Sequence, residues 1–264
     1  MIINHNLNAM NAHRNLQSSN IAQGKSSEKL SSGYKVNRAA DDAAGLSISE
    51  KMRTQIRSLN QAQANVQDGV SLVQTAEGAM NEVSDMLSRM KELATKANNG
   101  TYNTSDLDAI NKEFTALGDA IDNVATKTTF NGIKLLDNSN TVKIQMGDNE
   151  ADKITVTLQD IQKTKLAINV SAEATGTMKA IDDAIGTVNT ARSSFGAVQN
   201  QLEHTFNNLG ATTENLQAAE SRIRDTDMAK EMMNYTKLNI LQQASTSMLA
   251  QANQAPQGVL QLLR

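Results

Sequence analysis

The chain of 264 residues is long enough for one or two domains, yet only 3% of its residues are aromatic, and it has one proline and no tryptophan. The absence of cysteine excludes a disulfide framework and thiolate chemistry. A core must therefore consist of Leu, Ile, Val, Met and Ala. This composition of strong helix formers predicts a mainly α protein with long, uninterrupted helices.

The net charge of −3 is unevenly distributed along the chain. Residues 1–40 carry five Lys or Arg and one acid, and residues 227–264 carry three and two, so the segment between them holds −8. Few charges at both ends are typical of surfaces that become buried, whereas an acidic middle suits solvent. The first residues show no basic stretch followed by an apolar one, and no apolar run approaches the ~20 residues that span a bilayer. We therefore expect no cleaved signal peptide and no membrane insertion.

The chain is predicted to begin with a helical arm, residues 1–42, whose apolar residues recur at roughly helical spacing. A rod domain over residues 43–224 follows, in which Asp41 or Asp42 can cap the first helix and Asn98-Asn99-Gly100 can end it. Two heptad rows, one bulky and one small, cover this helix and predict close antiparallel packing of helical rods as in a coiled coil. The rows are Met52, Leu59, Val66, Val73, Met80, Leu87 and Ala94, and Ala62, Gly69, Ala76, Val83, Met90 and Ala97.

A second helix is predicted over about 105–128, capped by Thr104 or Ser105. A small β-hairpin element is expected within about 129–160. Asn131-Gly132 is a turn signal there, and the alternating residues around Ile144 and Val156 predict two short strands.

A third long helix carries a further seven-residue repeat. Its apolar positions are Ile181, Val188, Phe195, Leu202, Leu209, Leu216 and Ile223. The Asp pairs 41–42 and 182–183 are interpreted as residues at helix starts and not as catalytic carboxylates. The three histidines have no metal-binding spacing, so no metal, cofactor or enzyme activity is expected.

The C-terminal arm, residues 225–264, is apolar almost to its last residue. Two marginal helices paired only with each other would bury too little surface to offset their ordering entropy. The sequence therefore predicts that both arms are completed by other copies of the chain. The expected filament-core residues are Ile3, Leu7, Met10, Leu238, Leu241, Leu249, Leu260, Leu262 and Leu263.

Two long segments resemble the conserved ends of bacterial flagellins. Residues 31–100, which begin SSGYKVNRAADDAAGLSISEKMRTQIRSLNQAQANV, are similar to the N-terminal region, and residues 221–264, SRIRDTDMAKEMMNYTKLNILQQASTSMLAQANQAPQGVLQLLR, to the C-terminal region. The resemblance implies an inner D0 domain made by both termini and a D1 domain of helical rods with a β-hairpin. Because 138–172 has room for the hairpin only, this looks like a short flagellin without outer domains.

The resemblance also implies functional partners. These are other subunits of a swimming filament, the filament cap and hook-junction proteins, an export chaperone, and the type III apparatus that secretes the unfolded chain to the cell exterior. Arg89, Leu93 and Glu113 match positions by which many flagellins engage Toll-like receptor 5. Contact with the next subunit is the preferred interpretation of this helix face. A hook–filament junction protein and a secreted innate-immune ligand or adhesin are the alternative functions. No nucleic-acid partner is expected.

Overall fold

The computed structural model describes residues 6–137, 139–162, 166 and 174–262, and for 174–176 and 255–262 it describes the backbone alone. The described chain is mainly α, as predicted, with two small antiparallel strand pairs. The elements are α1 Leu7–Ser32, α2 Ala43–Ala97, α3 Thr104–Lys127, β1 Thr129–Phe130, β2 Ile133–Lys134, β3 Thr141–Gln145, β4 Lys153–Thr157, α4 Ala174–Arg224 and α5 Met228–Leu262.

The chain divides into two compact units. Unit 1 comprises Met1–Thr54 and Asn215–Arg264, and unit 2 comprises Gln55–Glu214. The predicted division at residues 42 and 225 concerns packing in a polymer and stays a prediction.

Local hydrogen bonds explain where the helices start and stop. Asp42 caps α2, because its Oδ1 accepts the backbone N–H of Gly45 at 2.9 Å. Asp41 instead accepts the backbone N–H of Arg38, and this bond lowers the pKa of the Asp41 carboxyl. Helix α1 ends at Gly33, whose φ of 75° lies in the left-handed region that favours glycine.

Two expected helix starts were wrong. Helix α3 is capped by Asn103 and not by Thr104 or Ser105, because the side chains of Asn103 and Asp106 each accept the other's backbone N–H and so form a capping box. Asp182 and Asp183 lie inside α4, well after its start at Ala174. Asp182 makes an ion pair with Lys91 at 2.5 Å, so its role there is to link two helices.

The core of unit 2 follows the predicted heptads. On α2, both rows are buried from residue 59 to residue 94, and on α4 the row from Ile181 to Leu209 is buried. The Lys91–Asp182 ion pair and a contact from Asn98 Nδ2 to Met178 Sδ show that α2 and α4 are antiparallel, because the α4 partner moves back as α2 advances. This confirms the predicted antiparallel rods.

The predicted hairpin forms, with Val142 opposite Val156 and Ile144 opposite Ile154. A second, shorter ladder joins β1 and β2 across Asn131 and Gly132, both of which have positive φ.

The longer hairpin packs on α2 at a glycine. A Cβ added to Gly69 would clash with Ile144 Cδ1, and Asn65 Nδ2 donates to the Gln145 carbonyl at 3.2 Å. Gly69 therefore creates the space into which Ile144 fits.

We expect Gly69→Leu to lower the free energy of unfolding by about 1–3 kcal/mol, since the added side chain overpacks the Ile144 site. The matched control is Gly78→Leu on the same helix, where a Cβ has nothing within 4 Å. That change should leave stability unchanged or raise it, because leucine favours helix over glycine. Urea unfolding followed by circular dichroism measures both, and equal effects at the two sites would contradict this packing role.

Candidate assembly surface

The two terminal arms form one antiparallel helix pair within unit 1. At one end of the pair, where α1 begins, Asn6 Nδ2 donates to the Ala252 carbonyl at 2.7 Å. Further along, Ser26 Oγ donates to Glu231 Oε1 at 2.5 Å. The low residue numbers of α1 thus meet the high numbers of α5, so the two helices are antiparallel.

This pair has almost no buried core. Among the residues whose side chains are described, Ser26 is the single buried residue of α1, and none of α5 is buried. Nine large apolar side chains of the pair have exposed fractions from 43% at Leu241 to 68% at Met233. They are Leu7, Met10, Ile21, Met228, Met232, Met233, Ile240, Leu241 and Met248. Large apolar surfaces of this kind mark interaction sites in soluble proteins.

The expected filament-core residues fall into four groups. Leu7, Met10 and Leu241 are exposed, whereas Leu238 and Leu249 are half-buried. Leu260 and Leu262 lie in α5 with only their backbone described, and Ile3 and Leu263 lie outside the described residues. Ile240, which the sequence reading did not single out, is 61% exposed and belongs to the same surface.

A groove of about 490 Å³ separates α1 from α5. Asn8, Asn11 and Asn15 line its α1 side, and Leu241 and Met248 line its α5 side. The amide groups offer hydrogen bonds and the apolar groups offer burial, so the groove suits another amphipathic helix better than a charged ligand. The sequence of α5 supports this, because it contains only three charged residues, Lys230, Glu231 and Lys237.

A cluster of polar contacts, here called the polar joint, lies where α1 ends and α5 begins. It connects the arms to the segments of α2 and α4 that belong to unit 1. The backbone N–H of Lys35 donates to the Arg224 carbonyl at 2.7 Å, and that of Thr226 donates to the Gly33 carbonyl at 2.9 Å. The Arg224 guanidinium is mostly buried, lies 4.8 Å from the centre of the Tyr34 ring and bonds Glu50 Oε1 at 2.5 Å. The sequence analysis did not predict this joint, because Arg224 is far in sequence from Tyr34 and Glu50.

The second expected site, Arg89, Leu93 and Glu113, is in unit 2. Arg89 joins α2 to α3 through its Nη2, which lies 2.9 Å from Glu113 Oε1. Hydrogen bonds to Glu92 and Glu113 raise the pKa of the Arg89 guanidinium. Both Arg89 and Glu113 are exposed, but Leu93 is only 3% exposed and packs inside the chain. The three residues are thus neighbours on the helices, with two on the surface and one in the core.

Other kinds of site find no support in the described part of the chain. No helix there is long and apolar enough to cross a membrane. Within the same residues, no group of three or more His, Cys, Asp or Glu side chains could hold a metal ion.

The fold and this surface define a class of protein: a helical subunit with a well-packed rod and an arm pair that lacks a core of its own. The family models for the N-terminal and C-terminal helical regions of bacterial flagellin match residues 3–141 and 178–263. The chain belongs to the bacterial flagellin family, a family of structural proteins and not of enzymes.

Several relatives are similar over their whole length. A flagellin from Halalkalibacterium halodurans is 54% identical, and one from Bacillus subtilis is 48% identical, each over 100% of both chains. The crystal structure of Bacillus cereus flagellin is similar with a TM-score of 0.51 and 36% identity, over 60% of this chain and 94% of that one. Because these highly similar relatives are flagellins, this chain is a structural filament subunit that assembles with copies of itself.

Substitutions of Leu93 and Arg89 should affect stability differently, because Leu93 is buried and Arg89 is exposed. We expect Leu93→Ala to lower the free energy of unfolding by about 2–5 kcal/mol, since it leaves a cavity in the core. Arg89→Ala should leave the free energy of unfolding nearly unchanged, because an exposed ion pair contributes little to stability. Urea denaturation of the two variants checks this, and a Leu93→Ala protein as stable as the parent would show that the leucine is not part of the core.

Proposed function

We propose that this chain polymerises into the flagellar filament that drives swimming, with residues 1–42 and 225–264 of many copies forming its inner layer. The observation that carries the proposal is the arm pair, which has nine exposed large apolar side chains and a single buried residue among those described. Neighbouring copies would supply the missing burial at about 25 cal/mol for each Å² of apolar surface removed from water. Residues 43–224 would then form the outer wall.

The chain reaches the cell exterior, in this proposal, through the flagellar type III apparatus. An export chaperone would cover the apolar side chains of α5 beforehand, and the filament cap and hook-junction proteins would contact the subunit at the two ends of the polymer. The exposed stripe of α5 supports this, because such a surface needs cover whenever it is outside a filament. On unit 2, the exposed pair Arg89 and Glu113 is proposed as a contact with the next subunit or with Toll-like receptor 5, with Leu93 supporting it from below.

The alternative functions make different predictions about length and motility. A hook–filament junction protein acts in few copies, so purified chain that extends filament fragments to micrometre lengths would exclude that role. A soluble immune ligand or adhesin would not need assembly. Cells whose only copy lacks residues 227–264 should therefore lose motility, and cells that still swam would refute the structural role.

A single substitution tests the arm surface. We expect Ile240→Asp to abolish elongation on filament fragments, because a carboxylate would replace an apolar contact at a buried subunit interface. The isolated subunit should keep its thermal stability, since Ile240 is 61% exposed there.

Ile240→Leu is the matched control, because it retains an apolar side chain of the same size. Elongation is measured by electron microscopy and light scattering. If Ile240→Asp protein elongated at the parental rate, this position would not belong to the interface.

A further inference from the structure

The methionines of this chain are divided between two environments. Met80 and Met90, on α2, are 0% exposed, and Met52, Met86, Met146 and Met178 are half-buried. The remaining described methionines all lie on α1 or α5 and are 47% to 68% exposed. We call this second set the arm methionines: Met10, Met228, Met232, Met233 and Met248.

Exposure controls the chemistry of a methionine thioether. Hydrogen peroxide, a two-electron oxidant, transfers one oxygen atom to the sulfur: the O–O bond breaks, an S–O bond forms, and the other oxygen leaves with both protons as water. The sulfur is oxidised by two electrons and the peroxide is reduced by two. Because the product is a polar, chiral sulfoxide, it disrupts interfaces that rely on the soft, apolar thioether.

We propose that the arm methionines are a reversible oxidation site that makes the free subunit unable to assemble, whereas assembly itself protects them. This inference rests on the proposed function, because it requires that the surface of α1 and α5 becomes buried between copies. Met248 shows the geometry most clearly. It lines the groove between α1 and α5 beside Leu241, so its sulfoxide would place a polar oxygen where a neighbouring helix is to pack.

The arm methionines are spread along α5, so oxidation would alter more of its surface than the groove at Met248. Met228 and Met232 are four residues apart and lie on one face of α5, while Met233 and Met248 are the two most exposed methionines described. Oxidation at several of these sites places polar oxygens along a helix that has few charges. Each sulfoxide buried without a hydrogen-bond partner opposes docking. The rods have no comparable site, since their methionines are buried or half-buried.

The test treats the full-length subunit with hydrogen peroxide and then adds it to untreated filament fragments. Peptide mass spectrometry should find Met233, Met248 and Met10 oxidised first and Met80 and Met90 last. The elongation rate should fall by roughly tenfold or more, which corresponds to about 1.4 kcal/mol. Treatment with the pair of methionine sulfoxide reductases, one for each epimer, should restore it. In preassembled filaments the arm methionines should oxidise roughly tenfold more slowly.

The matched control replaces the arm methionines with leucine at all five positions, which keeps apolar side chains but cannot form a sulfoxide. This variant should elongate after peroxide treatment as it does before. Equal loss in the variant would overturn the inference, because the damage would then lie elsewhere. If the variant failed to assemble before treatment, the reductase experiment on the parent chain would decide, and elongation that did not return as the sulfoxides were reduced would count against the inference.

The outcomes also separate this inference from the proposed function. Untreated chain that does not elongate refutes the filament role itself. Untreated chain that elongates, together with arm-oxidised chain that elongates equally well, refutes only the oxidation site.

Discussion

The structure depends on one constraint: the helices at the two ends of the chain pair with each other but do not bury each other's apolar side chains. In unit 2, a partner lies against each bulky heptad row, and residues such as Val66, Val73 and Phe195 are almost wholly removed from water. In unit 1, the pairing of α1 and α5 shields one side of each helix only. Helices in water are stabilised mainly by tertiary packing, which is why we propose that other copies of the chain complete this pair.

The polar joint of unit 1 gives the arms a defined attachment despite their missing core. Tyr34, Arg224 and Glu50 combine a ring contact, an ion pair and backbone hydrogen bonds in a small volume. Arg224 is largely buried, so losing Glu50 would leave a poorly compensated charge. Directional polar contacts thus set the position of the chain where α1 and α5 meet the long helices, and the apolar surface beyond them stays available for association.

Much of this fold could be predicted because each part of it follows a regular hydrophobic period. The heptad rows of α2 and α4 specify both the helices and their packing, and the alternation around Ile144 and Val156 specifies the hairpin. Leu93 was harder, because it lies outside both α2 rows. Its burial follows from α2 having two partners, α3 through Arg89–Glu113 and α4 through Lys91–Asp182, so that a wider stripe is covered. Helix caps such as Asn103 depend on local hydrogen-bond competition that spacing does not report.

The contacts that join α1 to α5 have a consequence for the order of folding. Asn6 and Ala252 are 246 residues apart in sequence, and Ser26 and Glu231 are 205 apart. Contacts with such large loop closures form late, after the local helices and the hairpin. A chain emerging end first from a ribosome or a narrow conduit therefore presents its leading helix alone until nearly the whole polypeptide has followed. During that interval, the partners that the leading helix contacts depend on when the rest of the chain emerges, and not on the stability of the folded protein.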